Sequence, residues 1–427
     1  MNVWTIIGLI LILILFLSGA PLAIAFGLGA LLIALLAAGL PIDAIASMAF
    51  NSINSFPLLA MPFFILAGNL LLRSGGMADV RDFLQSWIGQ WRGGLAAGAL
   101  VIGAFLGAVS GSTTACLAIM GTVVLPIMVE AGYSRPFSSA IALNGAELGW
   151  IIPPSLAFII FGALNQVSIA DLFLSGIGPG LLMAAFMIVP AVIISRRRGY
   201  PAAPRVSWKG RGRSFLRAFP MLLMPVIVLG GIYAGIFSPT ESAAVGCLYT
   251  LILGIFVYRQ LNWAGIKEAL LETAKLGGMI YILIVAADLF SKMISFMELP
   301  QMIGDWVLSF HLGPLAFLLA VEALLLAMGF LFSSIPMIII VLPIFLPTVK
   351  ELGIDPVFYG CLAVICTAIG EITPPMGPQL WFAAPICKEK MGKIMKESWV
   401  FLGAMVLALL VVTFVPDIPM FLVNLFR

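Results

Sequence analysis

The chain has 427 residues, of which 62% are hydrophobic and only 10% charged, and its formal net charge is +3. Soluble domains carry about 25% charged residues, so this composition excludes a soluble globular protein and puts most of the chain in lipid, where a core of roughly 30 Å takes about 20 apolar residues per helix. Eight of the 22 basic residues fall between Arg196 and Arg217; beside a spanning segment such a cluster marks a cytoplasmic loop rather than a nucleic-acid surface.

Taken in order, Val3–Leu17 and Leu22–Leu40 read as two spans separated by Ser18-Gly19-Ala20-Pro21. The first run lacks a basic leading region and a small-residue cleavage site, and is expected to stay as a helix rather than act as a signal peptide. Pro41–Ser55 reads as a polar connector and Phe56–Leu72 as a third span. In Met77–Trp91, Val80, Phe83, Leu84, Trp87, Ile88 and Trp91 recur at helical spacing among Asp79, Arg81, Asp82 and Gln85, the pattern of an amphipathic helix lying along the interface. Leu95–Val129 is apolar but interrupted near its middle by Ser110–Thr114. Its halves are short for full crossings, which predicts a re-entrant hairpin whose tip other protein or a cavity must satisfy. Pro136–Leu164 is a span broken at Gly149–Pro154, and Ile177–Ile194 closes the first half. After the basic loop come Met221–Phe237, Ala243–Tyr258, Gly277–Met293, a short interfacial segment Glu298–Phe310, a hairpin Leu315–Val349, a broken span Val357–Pro385 and a last span Trp399–Val415.

The two series are copies. Ser333, Pro347, Gly353, Phe358, Gly370, Pro374 and Pro375 each lie 221 positions after Ser112, Pro126, Gly132, Phe137, Gly149, Pro153 and Pro154. A gap-free match of polar and helix-breaking residues at one offset is an internal duplication. A hairpin adds no net crossing, so each half crosses five times and the second half starts on the opposite side. The expected fold is therefore an all-α polytopic membrane protein of two inverted repeats with re-entrant hairpins and broken helices. With Arg196–Arg217 cytoplasmic, Arg92, Arg135, Arg259 and the Lys388/Lys390/Lys393/Lys396 group fall on the same side, whereas Asn165–Asp171 and Ser238–Glu241 carry no Lys or Arg. Lys350 is the exception to that bias.

Inverted hairpin tips and broken helices are expected to meet near mid-membrane. Each break frees carbonyls at one end and N–H groups at the other. The N–H ends favour an anionic cargo group, and the carbonyls with Ser and Thr hydroxyls are hard ligands suited to Na⁺. Ser110, Gly111, Ser112, Thr113 and Thr114 supply one tip and Ser333 and Ser334 the other, while Pro153-Pro154 and Pro374-Pro375 hold the breaks open. Glu147 and Glu371 lie beside the breaks, and an intramembrane carboxylate is a functional candidate. Each could bind a cation, take a proton, meet a polar cargo group, or cap freed N–H groups, and the two could approach each other across the pseudo-axis. Trp150 and Trp381 are candidates to line the pocket, and Asp288 with Lys292 reads as an intrahelical ion pair. The residues speak against an intramembrane enzyme. Ser110-Gly111-Ser112 as a nucleophile loop needs a base within reach, but the one histidine, His311, sits in the other half, and the five cysteines form no Cys-x-x-Cys pair.

On Ser110-Gly111-Ser112-Thr113, Ile151-Ile152-Pro153-Pro154-Ser155, Ser238-Pro239-Thr240-Glu241, Ile372-Thr373-Pro374-Pro375-Met376-Gly377 and Phe56-Pro57-Leu58-Leu59-Ala60-Met61-Pro62-Phe63-Phe64, the chain resembles the large membrane subunit (M subunit, DctM-like) of tripartite ATP-independent periplasmic (TRAP) transporters, over essentially its full length. The resemblance implies an elevator-type ion transporter fold in which a mobile domain slides against a fixed scaffold. Residues 1–76 and 219–297 would be scaffold helices, 77–92 and 298–312 interfacial arms, 93–198 and 313–427 the two parts of the transport domain, and 199–218 the basic cytoplasmic loop. It further implies a multi-pass protein of the bacterial inner membrane, no cofactor beyond Na⁺ as coupling ion, and a small organic anion as cargo, a carboxylate or sulfonate. The implied partners are a small four-helix membrane subunit on a separate chain and a periplasmic substrate-binding protein. By position, Na⁺ would involve Ser110, Ser112, Thr113, Gly149 and Pro153 in one half and Ser333, Ser334, Gly370, Thr373 and Pro374 in the other. Candidates for cargo contact are Gly111, Thr114, Glu147, Trp150, Pro154, Glu371, Pro375 and Gly377. The alternative is a related elevator anion carrier that works without a binding protein.

Overall fold

A computed structural model describes residues 3–202, 206–298, 302, 313–374 and 377–427, with only the backbone of 108–110. Every regular element among the described residues is helical, and nine helices are long and apolar enough to cross a membrane. The expected spans are present, mostly longer than their apolar runs: Ile169–Arg197, Trp208–Tyr233 and Trp263–Phe296 carry polar turns at their ends. Local capping explains several starts. Ser238 heads Pro239–Ile252 with a reciprocal cap, its hydroxyl accepting the Glu241 N–H while Glu241 Oε2 accepts the Ser238 N–H at 2.8 Å. Two expectations need correction. Pro41–Ser55 is not simply a polar connector, because Ile42–Ile53 is a short apolar helix with Asp43 in its first turn. A further short helix, Asp417–Phe426, follows the last span. The first arm is the helix Met77–Ile88, docked on Trp208–Tyr233 through Phe83 against Phe215 and Ser86 against Ser214. The second arm, 298–312, lies outside the described residues save Glu298 and Met302, and His311 lies outside them too.

The duplication is visible element by element. Arg135–Ile151 returns as Pro356–Glu371, Leu156–Asn165 as Pro378–Cys387, and Ile169–Arg197 as Met391–Phe414. Each hairpin carries a π-helical turn, Met120–Val124 and Met337–Val341, followed directly by Leu-Pro. Proline lacks the N–H that an α-helical ladder needs, and the backbone widens before it. By this mark the structural partner of Leu125-Pro126 is Leu342-Pro343, not Leu346-Pro347, so the bulge sits one turn nearer the tip in the second hairpin. The halves also differ in the scaffold. Ile42–Ile53 and Ala60–Arg73 are separate helices, whereas their counterparts form one continuous helix, Trp263–Phe296. Pro57 and Pro62 stand in the first copy where Gly278 and Leu283 stand in the second. The carbonyls freed at the first-half break are taken by the other half: Thr240 Oγ1 donates to Phe56 O at 3.0 Å and Tyr281 OH to Leu58 O at 3.1 Å.

Packing between the halves is reciprocal, as inverted repeats about a pseudo-two-fold axis require. Ala60–Arg73 lies on Pro239–Ile252, and Leu22–Leu32 lies on Trp263–Phe296. Each broken helix crosses to its opposite number. Leu156–Asn165 packs on Pro356–Glu371 and the second hairpin's π turn; Pro378–Cys387 packs on Arg135–Ile151 and the first hairpin. Within each half the outer hairpin arm sits unusually close to the broken helix. A Cβ on Gly149 would run into the Gly107 backbone, and one on Gly370 into Gly329, with the approach tighter in the first pair. The five cysteines are free and buried.

Candidate functional site

The two hairpin tips and both broken helices converge on one cleft. It encloses about 1230 Å³ of empty space, part of it open to solvent, and its lining includes Ser112, Thr113, Thr114, Trp150, Ser333, Glu371 and Gln379. Scaffold residues Asn69, Glu272, Leu276, Met279 and Ile280 line it as well. Ser112 and Ser333, 221 positions apart in sequence, thus face one space.

The two tips are built differently. In the first, Gly111 ends Gly94–Ser110 at φ +60°, a left-handed conformation suited to glycine. Ser112 then caps Thr113–Ile119, its hydroxyl accepting the Ala115 N–H at 3.4 Å. The first broken helix is closed in the same manner: Ser155 caps Leu156–Asn165 by accepting the Ala157 N–H at 3.2 Å, and it donates to Trp150 O. In the second tip Ser333 occupies the cap position without a side-chain cap bond. A carboxylate does that work instead, because Glu371 Oε1 accepts the Ser334 N–H. Glu371 is buried, and its Oε2 has no hydrogen-bond partner. Gln379 joins the two halves by donating to Thr113 Oγ1, and to Thr114 Oγ1 at 3.3 Å.

The remaining candidates sit behind this lining. Glu147 is fully buried with both carboxylate oxygens unpartnered. Gly149 and Gly370 are points of helix contact, and the Gly370 carbonyl accepts the Thr373 N–H at 2.9 Å. Thr373 bonds back to Ile369 O at 2.7 Å. Pro153 and Pro154 are buried in the break, joined by a cis peptide. Pro374 is half-buried, and Gly377 begins the second arm of its broken helix close against the Glu371 carbonyl. The Ser110 side chain and Pro375 lie outside the described residues. Trp381 does not line the cleft; it is 60% exposed on the outer face. Asp288 and Lys292 form their ion pair at 2.6 Å. Sequence reading missed Asn69, Glu272 and Gln379. Their signal was a polar group inside an apolar run, and what hid Glu272 was its place on the polar first turns of Trp263–Phe296. Asn69 donates to Thr273 at 3.1 Å, and Glu272 pairs with Arg73 at 2.8 Å.

A family model described as "Tripartite ATP-independent periplasmic transporter, DctM component" matches residues 9–418. The chain belongs to the DctM family. It is a large permease subunit and an integral, multi-pass protein of the inner membrane, not an enzyme. It is 34% identical over 429 residues to the C4-dicarboxylate TRAP transporter large permease protein DctM of Rhodobacter capsulatus, covering 97% of this chain and 98% of that one. It is 37% identical over 412 residues to the isethionate TRAP transporter permease protein DctMQ of Oleidesulfovibrio alaskensis; that match covers 94% of this chain but 64% of the relative's length. In fold, this DctM chain is similar to the Alcanivorax borkumensis YdaH transporter, with a TM-score of 0.67 at 15% identity over 96% of this chain and 97% of that one.

Proposed function

We infer that this DctM subunit imports a small organic anion, a carboxylate or sulfonate, coupled to Na⁺ and delivered by a periplasmic binding protein, together with a small membrane subunit. The observation that carries the reading is the single cleft shared by both hairpin tips and both broken helices. Hydroxyls of Ser112, Thr113, Ser333 and Ser334, with backbone carbonyls around Gly149, Pro153, Gly370, Thr373 and Pro374, are the Na⁺ ligands on this reading. Gly111, Thr114, Trp150, Pro154, Glu371 and Gly377 lie next to where cargo sits, and Glu147 stands behind them. The mobile part is the hairpins and broken helices, 93–198 and 313–427, sliding as one body against scaffold residues 1–76 and 219–297. The placement of the cleft between the tips and the scaffold's Asn69, Leu276 and Met279 supports that division. No cofactor takes part. Relatives named for C4-dicarboxylates and isethionate support an organic acid as cargo.

The test is uptake into proteoliposomes holding this chain, its small subunit and the binding protein. Accumulation is expected only with an inward Na⁺ gradient and the binding protein present. Uptake that persists without the binding protein would favour the autonomous carrier, and uptake indifferent to Na⁺ would remove the coupling ion.

A further inference from the structure

The Glu371 carboxylate gives the cleft a chemistry that a purely anionic cargo does not match. Its Oε1 accepts the Ser334 N–H at the head of the second re-entrant helix. The protein's own carboxylate thus satisfies that backbone N–H. The other oxygen, Oε2, meets no donor in bonding geometry, nor does Gln379 Oε1, although the Ser334 hydroxyl and the Gln379 amide stand near the carboxylate. Both residues line the cleft and are buried, at 5% and 3% exposure. Buried acceptors left without a donor are costly, and more so when one is a carboxylate. Among the described residues lining the cleft there is no Lys or Arg. The charged ones are Glu371 and Glu272, and Glu272 is engaged by Arg73 at 2.8 Å.

The opposite tip has the complementary character. Thr113 and Thr114 accept from the Gln379 amide, which leaves their hydroxyl hydrogens available to donate. Trp150 and Phe382 also line the cleft, and aromatic faces attract cations.

We propose that the cargo is zwitterionic: its anionic group lies against the Thr113–Thr114 tip, and a positively charged nitrogen lies against Glu371 Oε2 and Gln379 Oε1. This rests on the permease reading above and narrows its substrate class. The matched probes are 4-aminobutyrate and succinate, which differ at one end by ammonium against carboxylate, with ectoine as a second zwitterion. Binding of each labelled probe is measured on the full-length chain in lipid nanodiscs at fixed Na⁺. The wild type is expected to bind the zwitterions at least tenfold more tightly than succinate. Glu371→Gln is expected to shrink that ratio tenfold or more. Gln379→Leu leaves the Ser334 cap in place and is expected to shrink it several-fold, with thermal unfolding showing that both variants fold. Tighter binding of succinate by the wild type, or a ratio unchanged in both variants, overturns the zwitterion proposal and leaves the permease reading standing. Loss of Na⁺ dependence in Glu371→Gln at an unchanged ratio assigns the carboxylate to the ion and likewise overturns it. Binding of neither class overturns it too, while uptake with the binding protein judges the permease reading separately.

Discussion

The two halves share one plan but stabilise their interruptions by different means. In the first half serine hydroxyls close the tip and the broken helix locally, through Ser112 and Ser155. In the second half neither Ser333 nor Gly377 makes a side-chain cap, and Glu371 reaches across from the broken helix to the Ser334 N–H. The first half is thus closed within each element, whereas the second is closed between elements. Duplication preserves where the backbone is interrupted, and it leaves open which side chain satisfies the interruption. The scaffold differs in the same sense, with two helices around Pro57 in one copy and a single helix through Gly278 in the other.

The comparison breaks most sharply at Gly278. Gly278→Pro would impose the first half's interruption on Trp263–Phe296, and it is expected to cost about 3 kcal/mol or more, because proline removes a helical bond and clashes one turn back. Thermal unfolding in detergent reads this; a melting point equal to wild type would mean that the continuous helix is unimportant. Next come the glycine contacts. Gly149→Ala is expected to lose about 2 kcal/mol through overpacking against Gly107, with Gly370→Ala losing less because its partner stands farther off. The reverse order would contradict the tighter first pair. Third, Ser112→Ala combined with Ser333→Ala is expected to raise the Na⁺ concentration for half-maximal uptake by roughly tenfold, the scale of one lost contact to a charge, with little change in yield. An unchanged Na⁺ curve would remove both hydroxyls from the ion's shell. The smallest effect is expected at Glu147, whose carboxylate has no partner. Glu147→Met is predicted to leave stability unchanged or raise it by about 1 kcal/mol, since an unsatisfied buried polar group is lost. If that variant is stable and still imports cargo, Glu147 has no part in transport.

Much of the fold was legible because lipid enforces it. Runs of about 20 apolar residues must be helices, and a single offset of 221 positions fixes which helix copies which. The convergence of Ser112 with Ser333 followed from inversion alone. What stayed hidden depends on side-chain reach. Glu371 was read as either a cap or a ligand, and only the position of Ser334 across from it separates these roles. Gln379 drew no notice because its repeat equivalent is Phe158, so no duplicated polar pattern pointed to it. The helix Ile42–Ile53 is not marked by length alone because it is short; it is the copy of the helix start at Trp263.

The crossing of each broken helix onto the other half's hairpin also bears on how the protein is made. Pro378–Cys387 covers the first hairpin's Met120–Val124 turn, yet it leaves the ribosome long after that hairpin has entered the bilayer. During synthesis the early hairpin therefore waits uncovered, and a chain stopped at the basic loop would present that surface to quality-control proteases. A split version is therefore expected to need both pieces produced in the same membrane at the same time for the hairpin to be covered.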